Sequence, residues 1–137
     1  MRLLARREHS RAELARKLQT HVQPEEDLES LLDDLVQRKL LSDERYAESR
    51  TRQLSRKFGA ARIVYELRAS GIDKELASVA SKAIRETEIE RAREVWRRKF
   101  RAAPVTREER AKQMRFLQSR GFSFDAIRAA IGGGEDD

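Results

Sequence analysis

Arginine and lysine side chains are the groups of this sequence best suited to chemistry, because they gather on a few predicted helices. A guanidinium group binds phosphate or carboxylate through two parallel hydrogen bonds, and a neighbouring aromatic ring offers a stacking face. Arg52 and Arg56 lie four residues apart, a spacing that places them on one face of a helix. The sequence therefore predicts an anion-binding surface, whose candidate residues are Arg50, Arg52, Arg56, Lys57, Arg62, Tyr65, Arg68, Arg97, Arg98, Arg101, Arg110 and Arg115.

For each candidate the alternative is a solvated side chain that is paired within the protein. The last third of the chain is its most basic stretch. Trp96 and Phe100 are expected on the core side of one helix there. Arg97, Arg98 and Arg101 belong to the same helix and cannot all be buried beside those rings. Several of them must be exposed or paired between units.

The other polar residues do not support metal binding or catalysis. The acidic residues between 25 and 34 lie in the first turns of a predicted helix, where negative charge complements the helix dipole. His9 and His21 match neither an HExxH pattern nor a catalytic-triad spacing. The chain has no Cys, and the glycine run 132–134 lacks the Lys-Ser/Thr of a phosphate-binding loop. We expect no enzyme activity, no metal and no cofactor.

Composition narrows the class of protein and of partner. The 137 residues include 30 Lys+Arg and 24 Asp+Glu, so the net charge is +6 and an anionic partner is expected: nucleic acid, an acidic protein surface or anionic lipid. Basic and acidic stretches alternate three times, with a period of roughly 45 residues that favours a repeat array. No apolar run approaches the roughly 18 residues of a membrane span. A cytoplasmic monomer is expected.

Apolar residues recur at helical spacing throughout the chain. Leu28, Leu31, Leu32, Leu35 and Val36 form one continuous stripe, and no comparable alternation typical of strands occurs. The sequence therefore predicts an all-α fold. The nine expected helices span 2–8, 10–21, 24–39, 42–57, 60–70, 73–86, 88–102, 106–120 and 123–131.

Capping residues set these boundaries. Three pairs fit the capping-box spacing, Ser10 with Glu13, Thr87 with Glu90 and Thr106 with Glu109. Further N-caps are expected at Ser42, Asp73 and Ser123, a first-turn proline at Pro24, and helix stops at Gly59, Gly71, Gly121 and Gly132.

The helices group into three sets of three, which predicts a tandem array of three-helix repeats. The expected repeats are 1–41, with a short first helix, 42–87, and 88–137, which ends in an acidic tail. Residues 67–73 and 117–123 support the array, because both place a closing Gly, an apolar residue and a cap for the next helix in the same order.

Particular residues of the middle repeat resemble a known family. The segment 40–47, Leu-Leu-Ser-Asp-Glu-Arg-Tyr-Ala, is followed by Arg50, by Arg-Lys-Phe-Gly at 56–59, and by Ile63, Glu66-Leu67 and Gly71-Ile72. This pattern is similar to that of the RecX family of bacterial RecA regulators. Residues 3–18 resemble the first repeat of that family, and 116–123 resemble its last repeat.

The resemblance implies an elongated, curved array of three-helix units that lies along the groove of the RecA–DNA filament. It also implies regulation without chemistry: inhibition of RecA ATP hydrolysis, strand exchange and coprotease activity, which tempers recombination, DNA repair and the SOS response. The basic candidates then become contacts to RecA or to single- or double-stranded DNA, the latter weak and without sequence preference.

The alternative is an autonomous helical DNA-binding protein. Residues 9–41 could form a helix-turn-helix, with the Leu14/Leu18 helix packed on the Leu28–Val36 helix. The repeat organisation and the lack of strands typical of a wing weigh against this alternative.

Overall fold

Eight α-helices form the described part of the chain, which in this computed structural model comprises residues 4, 6–21, 23 and 27–132. No strand occurs in those residues, so the all-α prediction is confirmed. The helices are α1 (Arg11–Gln19), α2 (Leu28–Gln37), α3 (Asp43–Leu54), α4 (Ala60–Ala69), α5 (Lys74–Arg85), α6 (Glu88–Lys99), α7 (Arg107–Ser119) and α8 (Phe124–Ile131).

Three features of the predicted chain fall wholly or partly outside the described residues. In the expected helix 2–8, Leu4 and Arg6 are helical, whereas Arg7 and Glu8 are not. The other residues of that range are not described. Pro24 and the acidic tail also lie outside the described part. The predicted start of the helix 24–39 is wrong, because Asp27 is extended and is the N-cap of a helix that begins at Leu28.

Most helix starts follow the predicted caps. Ser10 with Glu13 and Thr106 with Glu109 form complete capping boxes. The side chains of Ser42, Asp73 and Ser123 each accept a hydrogen bond from the backbone of the following first turn. A side-chain oxygen satisfies one of the amide groups that a helix start leaves unpaired, and this stabilises a protein by about 1 kcal/mol.

The predicted capping box of Thr87 with Glu90 is wrong. Thr87 precedes α6 but makes no side-chain cap. Its hydroxyl instead donates to the carbonyl of Ile84 at 3.1 Å and accepts from Arg91 Nε at 3.0 Å. Because α5 ends directly before α6 begins, the hydroxyl is used to join the two helices.

Gly59 is also not a helix stop, although Gly71, Gly121 and Gly132 have the positive φ expected of stops. Gly59 is the N-cap of α4 with an extended backbone at φ −84°. Its lack of a side chain serves close packing, as described below. The helix expected over 88–102 ends earlier, at Lys99, because Phe100 is extended and its ring packs edge-on against Phe116 at 5.5 Å.

The helices pack into three groups, each around its own small apolar core. The first group comprises α1 and α2 and buries Leu14, Leu32, Leu35 and Leu41. The second group, α3–α5, buries Tyr46, Ala47, Leu54, Ile63, Leu67, Ile72 and Ala77. The third group, α6–α8, buries Ala92, Val95, Leu117, Phe122, Ala126, Ile127, Ala130 and Ile131.

Trp96 packs against the third core, as predicted, and its indole nitrogen donates to Gln113 Oε1 at 2.7 Å. None of the described helices is long and apolar enough to cross a membrane.

Candidate functional site

The junction between the second and third groups, here called the second junction, depends on direct backbone contact. The amide of Gly59 donates to the carbonyl of Arg120 at 2.8 Å. A Cβ atom on Gly59 would overlap the carbonyl of Gly121 and come within 2.6 Å of Phe122 Cα. The start of α4 can therefore rest on the end of α7 only if residue 59 is glycine.

The buried carboxylate of Glu88 stabilises the same junction. This residue is 8% exposed. One carboxylate oxygen accepts from the amide of Ala60 at 3.0 Å, and the other accepts from the amide of Ser123 at 3.1 Å. Because these amides stand at the starts of α4 and α8, the negative charge also lies where two helix dipoles favour it.

Arg91 also stabilises the second junction. Its guanidinium pairs with Glu88 at 3.3 Å and donates to the carbonyls of Ser55, Phe58 and Ile84 at 3.2, 2.7 and 2.8 Å. Burial lowers the pKa of Arg91, although Glu88 opposes that shift. Arg91 therefore ties the ends of α3 and α5 to α6, and it is a structural residue of the basic stretch.

The first junction, between the first and second groups, repeats this construction. Ser10 Oγ donates to the carbonyl of Ser70 at 2.6 Å. The amide of Arg11 donates to Asp43 Oδ1 at 2.7 Å, as the amide of Ala60 does to Glu88. In both cases the first residue of one group's leading helix, α3 or α6, supplies the carboxylate that caps the preceding group. The two junctions thus share the carboxylate-to-amide contact, whereas the donor to the helix-end carbonyl is a hydroxyl at the first junction and a backbone amide at the second.

A basic surface strip runs along the second junction. Two adjoining depressions of about 270 and 370 Å³ share Lys57 and Arg98 in their walls. We call this strip the second junction groove; its walls also include Ser55, Arg56, Arg91, Glu94, Val95, Lys99, Phe116 and Arg120. With Arg91 paired to Glu88, five cations remain beside a single carboxylate, that of Glu94.

Aromatic rings position two of the five groove cations, Arg120 and Lys99, and the neighbouring Arg62. The guanidinium groups of Arg62 and Arg120 lie over the Phe58 ring, 4.9 and 5.5 Å from its centre. Arg120 also lies 5.0 Å and Lys99 5.4 Å from the centre of the Phe116 ring. A cation over a ring face is attracted by the ring quadrupole, by about 0.5–1 kcal/mol at an exposed site. The rings therefore position positive charge along the junction.

Arg56, Lys57 and Arg98 are the sequence-predicted candidates that the structure brings together in this groove. Arg62 is not in the groove wall; it lies over the Phe58 ring and also pairs with Glu66 at 2.9 Å. Arg120 and Lys99 were not among the sequence-predicted candidates. Their role depends on the rings of Phe58 and Phe116, and therefore on contacts between groups. The Glu66 pairing did have a sequence signal, the spacing of four residues.

The other candidates lie elsewhere. Tyr65 is 67% exposed on α4, where Arg68 is exposed and donates to the carbonyl of Ile72. Arg97 pairs with Glu94 at 3.3 Å. The remaining candidates are separate from the groove: Arg52 is exposed on α3, Arg50 lines a depression at the first junction, Arg101 lines one beside the start of α7, and α7 carries half-buried Arg110 and exposed Arg115.

The depression at the first junction matches the second junction groove in position but not in charge. It has a volume of about 340 Å³ and is lined by Arg7, Glu8, Glu13, Tyr46, Ser49, Arg50, Gln53 and Ser70. Two carboxylates balance two guanidinium groups there. Arg7 forms two hydrogen bonds to Glu13, which together with its charge outweigh burial and lower the pKa of that carboxyl. Only the second junction is therefore strongly positive.

His9 is buried in the first group, between Arg7 and Lys17. It is 1% exposed, with Nε2 3.2 Å from Lys17 Nζ and Nδ1 3.2 Å from the carbonyl of Arg7. Since an ammonium group only donates, Nε2 accepts and the neutral ring carries its proton on Nδ1. Burial lowers the pKa of His9. The unfolded chain therefore binds a proton at a higher pH than the folded chain does.

We expect the free energy of unfolding to fall as the pH drops from about 7.5 to about 5.5, through the ordinary histidine pKa. Urea titrations at both pH values measure this change. The variant His9→Gln should lose most of the dependence, whereas His21→Gln, at an exposed position, should keep it. Equal pH dependence in the two variants would contradict the assignment to His9.

Comparison with known proteins gives one consistent match. Models for the second and the third three-helix domains of RecX match residues 42–80 and 86–131. Regulatory protein RecX of Leptothrix cholodnii is 47% identical over 131 residues, which cover 96% of this chain and 83% of that protein. The protein of the same name from Herminiimonas arsenicoxydans is 44% identical over 137 residues, covering 100% and 91%.

Solved structures agree with this match. The crystal structure of RecX from Lactobacillus salivarius superposes with a TM-score of 0.82 at 24% identity, over 95% of this chain and 88% of that chain, and shows the likeness of fold. A crystal structure of regulatory protein RecX superposes with a TM-score of 0.81 at 25% identity, over 98% of this chain and 68% of that chain.

Proposed function

Because the chain belongs to the RecX family of regulatory proteins, we propose that it binds the RecA–DNA filament and inhibits RecA. The activities it lowers are ATP hydrolysis, strand exchange and the coprotease activity. Through them the protein restrains recombination, DNA repair and the SOS response in the cytoplasm. In this proposal the chain acts as a monomer of three units, 1–41, 42–87 and 88–137, and as a binding protein rather than an enzyme.

The observation that carries the proposal is the second junction groove in a chain of this family. A RecA–DNA filament presents an anionic polymer, and the groove offers five cations beside one carboxylate. Long-range attraction between such surfaces accelerates and orients association. The groove is built from two groups that the caps of Glu88 and Gly59 hold together. Its charge is therefore presented as a fixed surface.

A helix-turn-helix that reads duplex DNA with α2 is less favoured. The exposed side of α2 carries Glu29, Asp33 and Asp34, and Arg11 is engaged with the first two at 2.7 and 2.8 Å. A helix with this surface would be repelled by the phosphates on either side of a DNA groove. The acidic face of α2 instead favours binding in which the second and third groups approach the DNA.

The test is ATP turnover by RecA on single-stranded DNA as this protein is added. We expect turnover to fall as the protein concentration rises. The double variant Lys57→Glu with Arg98→Glu should need at least a tenfold higher concentration for the same inhibition, because it reverses two of the five groove cations.

The matched control is Arg16→Glu with Lys74→Glu, which makes the same change of charge at two exposed positions outside both junction depressions. It should inhibit nearly as well as the original chain. If ATP turnover by RecA is undiminished at saturating concentrations of the original chain, the proposal is wrong.

A further inference from the structure

We propose that the second junction groove binds the sugar–phosphate backbone of nucleic acid and leaves the bases unread. This assignment rests on the proposed function only in taking a DNA-containing filament as the target. It goes further in naming which part of the DNA this groove meets.

Among the described residues, four of the five groove cations have no carboxylate partner. Arg56, Lys57, Arg98 and Lys99 are exposed, and within the described part of the chain none of the four forms an ion pair. The carboxylate of Glu94 is already paired with Arg97. An anion entering the groove therefore displaces water rather than an internal carboxylate.

The ring of Phe116 in the groove wall and the ring of Phe58 beside the groove already have cations over them. Phe58 has Arg62 and Arg120 over its ring, and Phe116 has Arg120 and Lys99. Proteins that bind single strands through their bases offer open ring faces for stacking. Here a base would have to displace a cation from each ring. The exposed Tyr65 is not in the wall of this groove, so the charged groups that a strand meets there are almost all cations.

The shape of the groove favours a regularly charged polymer over isolated carboxylates. Its two depressions adjoin through Lys57 and Arg98, so the charges follow one another along a strip. A nucleic-acid backbone carries one charge for each nucleotide along its length, whereas the carboxylates of a protein surface are interspersed with other groups.

The first junction provides an internal comparison. The depression there is built at the equivalent place in the array, yet its two guanidinium groups are balanced by Glu8 and Glu13. The positive strip is therefore not a necessary product of joining two three-helix groups. It arises from the particular residues at the second junction.

Binding through backbone phosphates leads to two quantitative predictions. Affinity should fall with salt, and if all five cations engage a single strand the slope of log K against log salt is about −3.5. Removing two of them should reduce the magnitude of that slope by about 1.4. Base composition should change the affinity by less than about threefold, because no base edge or base face is contacted.

The experiment measures fluorescence anisotropy of labelled oligonucleotides with the full chain and without RecA. The probes are oligothymidine, oligodeoxyadenosine and an abasic strand of equal length. We expect similar affinity for all three. The variant Lys57→Gln with Arg98→Gln should bind at least tenfold more weakly with the smaller salt slope, and the control Arg16→Gln with Lys74→Gln should bind like the original chain.

Three results would overturn the assignment. The first is that the abasic strand binds tenfold more weakly than oligothymidine, which would show that bases are contacted. The second is equal binding by the groove and control variants when circular dichroism shows both to be folded, which places the site elsewhere. The third is that polyglutamate competes for the protein as effectively as oligothymidine does at the same concentration of charge. That result would show a carboxylate-binding surface.

Failure here is distinguishable from failure of the proposed function. If the groove variant binds DNA normally while the original chain still inhibits RecA ATP turnover, the backbone assignment is wrong and the regulation stands. If the groove binds DNA as expected while RecA turnover is unchanged at saturation, the regulation is wrong and the backbone assignment stands.

Discussion

Replacing Glu88 with alanine is expected to lower the free energy of unfolding by about 3 kcal/mol or more. The change removes a nearly buried carboxylate, which leaves the guanidinium of Arg91 without its counter-charge and the amides of Ala60 and Ser123 without their acceptor. Breaking a buried ion pair from one side costs about 3–5 kcal/mol, because the remaining charge is uncompensated. Urea denaturation followed by circular dichroism at 222 nm, the usual helix band, measures the loss.

Glu94→Ala is the matched control, because it removes an exposed carboxylate from the same helix and from an ion pair of the same 3.3 Å length. Exposed pairs contribute about 0–1 kcal/mol, so this variant should unfold almost like the original chain. A loss below about 1 kcal/mol for Glu88→Ala would show that the second junction does not depend on this residue.

Glu88 also connects stability with the proposed function. It holds Arg91, and Arg91 binds the carbonyls of Ser55 and Phe58. The segment between those carbonyls carries Arg56 and Lys57, two cations of the second junction groove. Loss of Glu88 should therefore weaken DNA binding even where the variant remains folded, because the positive strip loses its fixed geometry.

The sequence predicted those features that depend on neighbours along the chain. The caps at Ser10, Ser42, Asp73 and Ser123 act over three residues, so their spacing alone was sufficient. Apolar spacing and capping residues together predicted all eight described helices. Helix ends were overestimated where a tertiary contact intervened, as at Phe100, whose ring turns toward Phe116.

The candidate site was only partly predictable, because its organisation arises between groups. Arg91 belonged to the basic stretch of the sequence, yet its partners lie as far away as residue 55 and it is structural. Arg120 follows a helix end in the sequence, and only its position over Phe58, 62 residues earlier, places it among the groove cations. Composition identified a basic surface, and tertiary contacts select its members.

Gly59→Ala is expected to destabilise the chain by about 3 kcal/mol, the upper end of the usual cost of overpacking. The backbone of Gly59, at φ −84°, is open to alanine, and alanine is only a poorer N-cap than glycine, so local conformation accounts for the smaller part of the cost. The new methyl group would instead overlap the carbonyl of Gly121 and crowd Phe122 Cα. Because these are backbone atoms, neither can move aside without separating α4 from α7.

Gly132→Ala tests the opposite case. Gly132 has φ +77°, where alanine is strained, but nothing lies within 4 Å of the position its Cβ would take. Its cost should be about 1 kcal/mol, the ordinary cost of a left-handed conformation. If close packing at the second junction controls stability, Gly59→Ala is the more damaging of the two changes in urea denaturation, and it also reduces DNA affinity. The reverse order would mean that the two groups can shift apart at little cost, and that the groove does not need their contact.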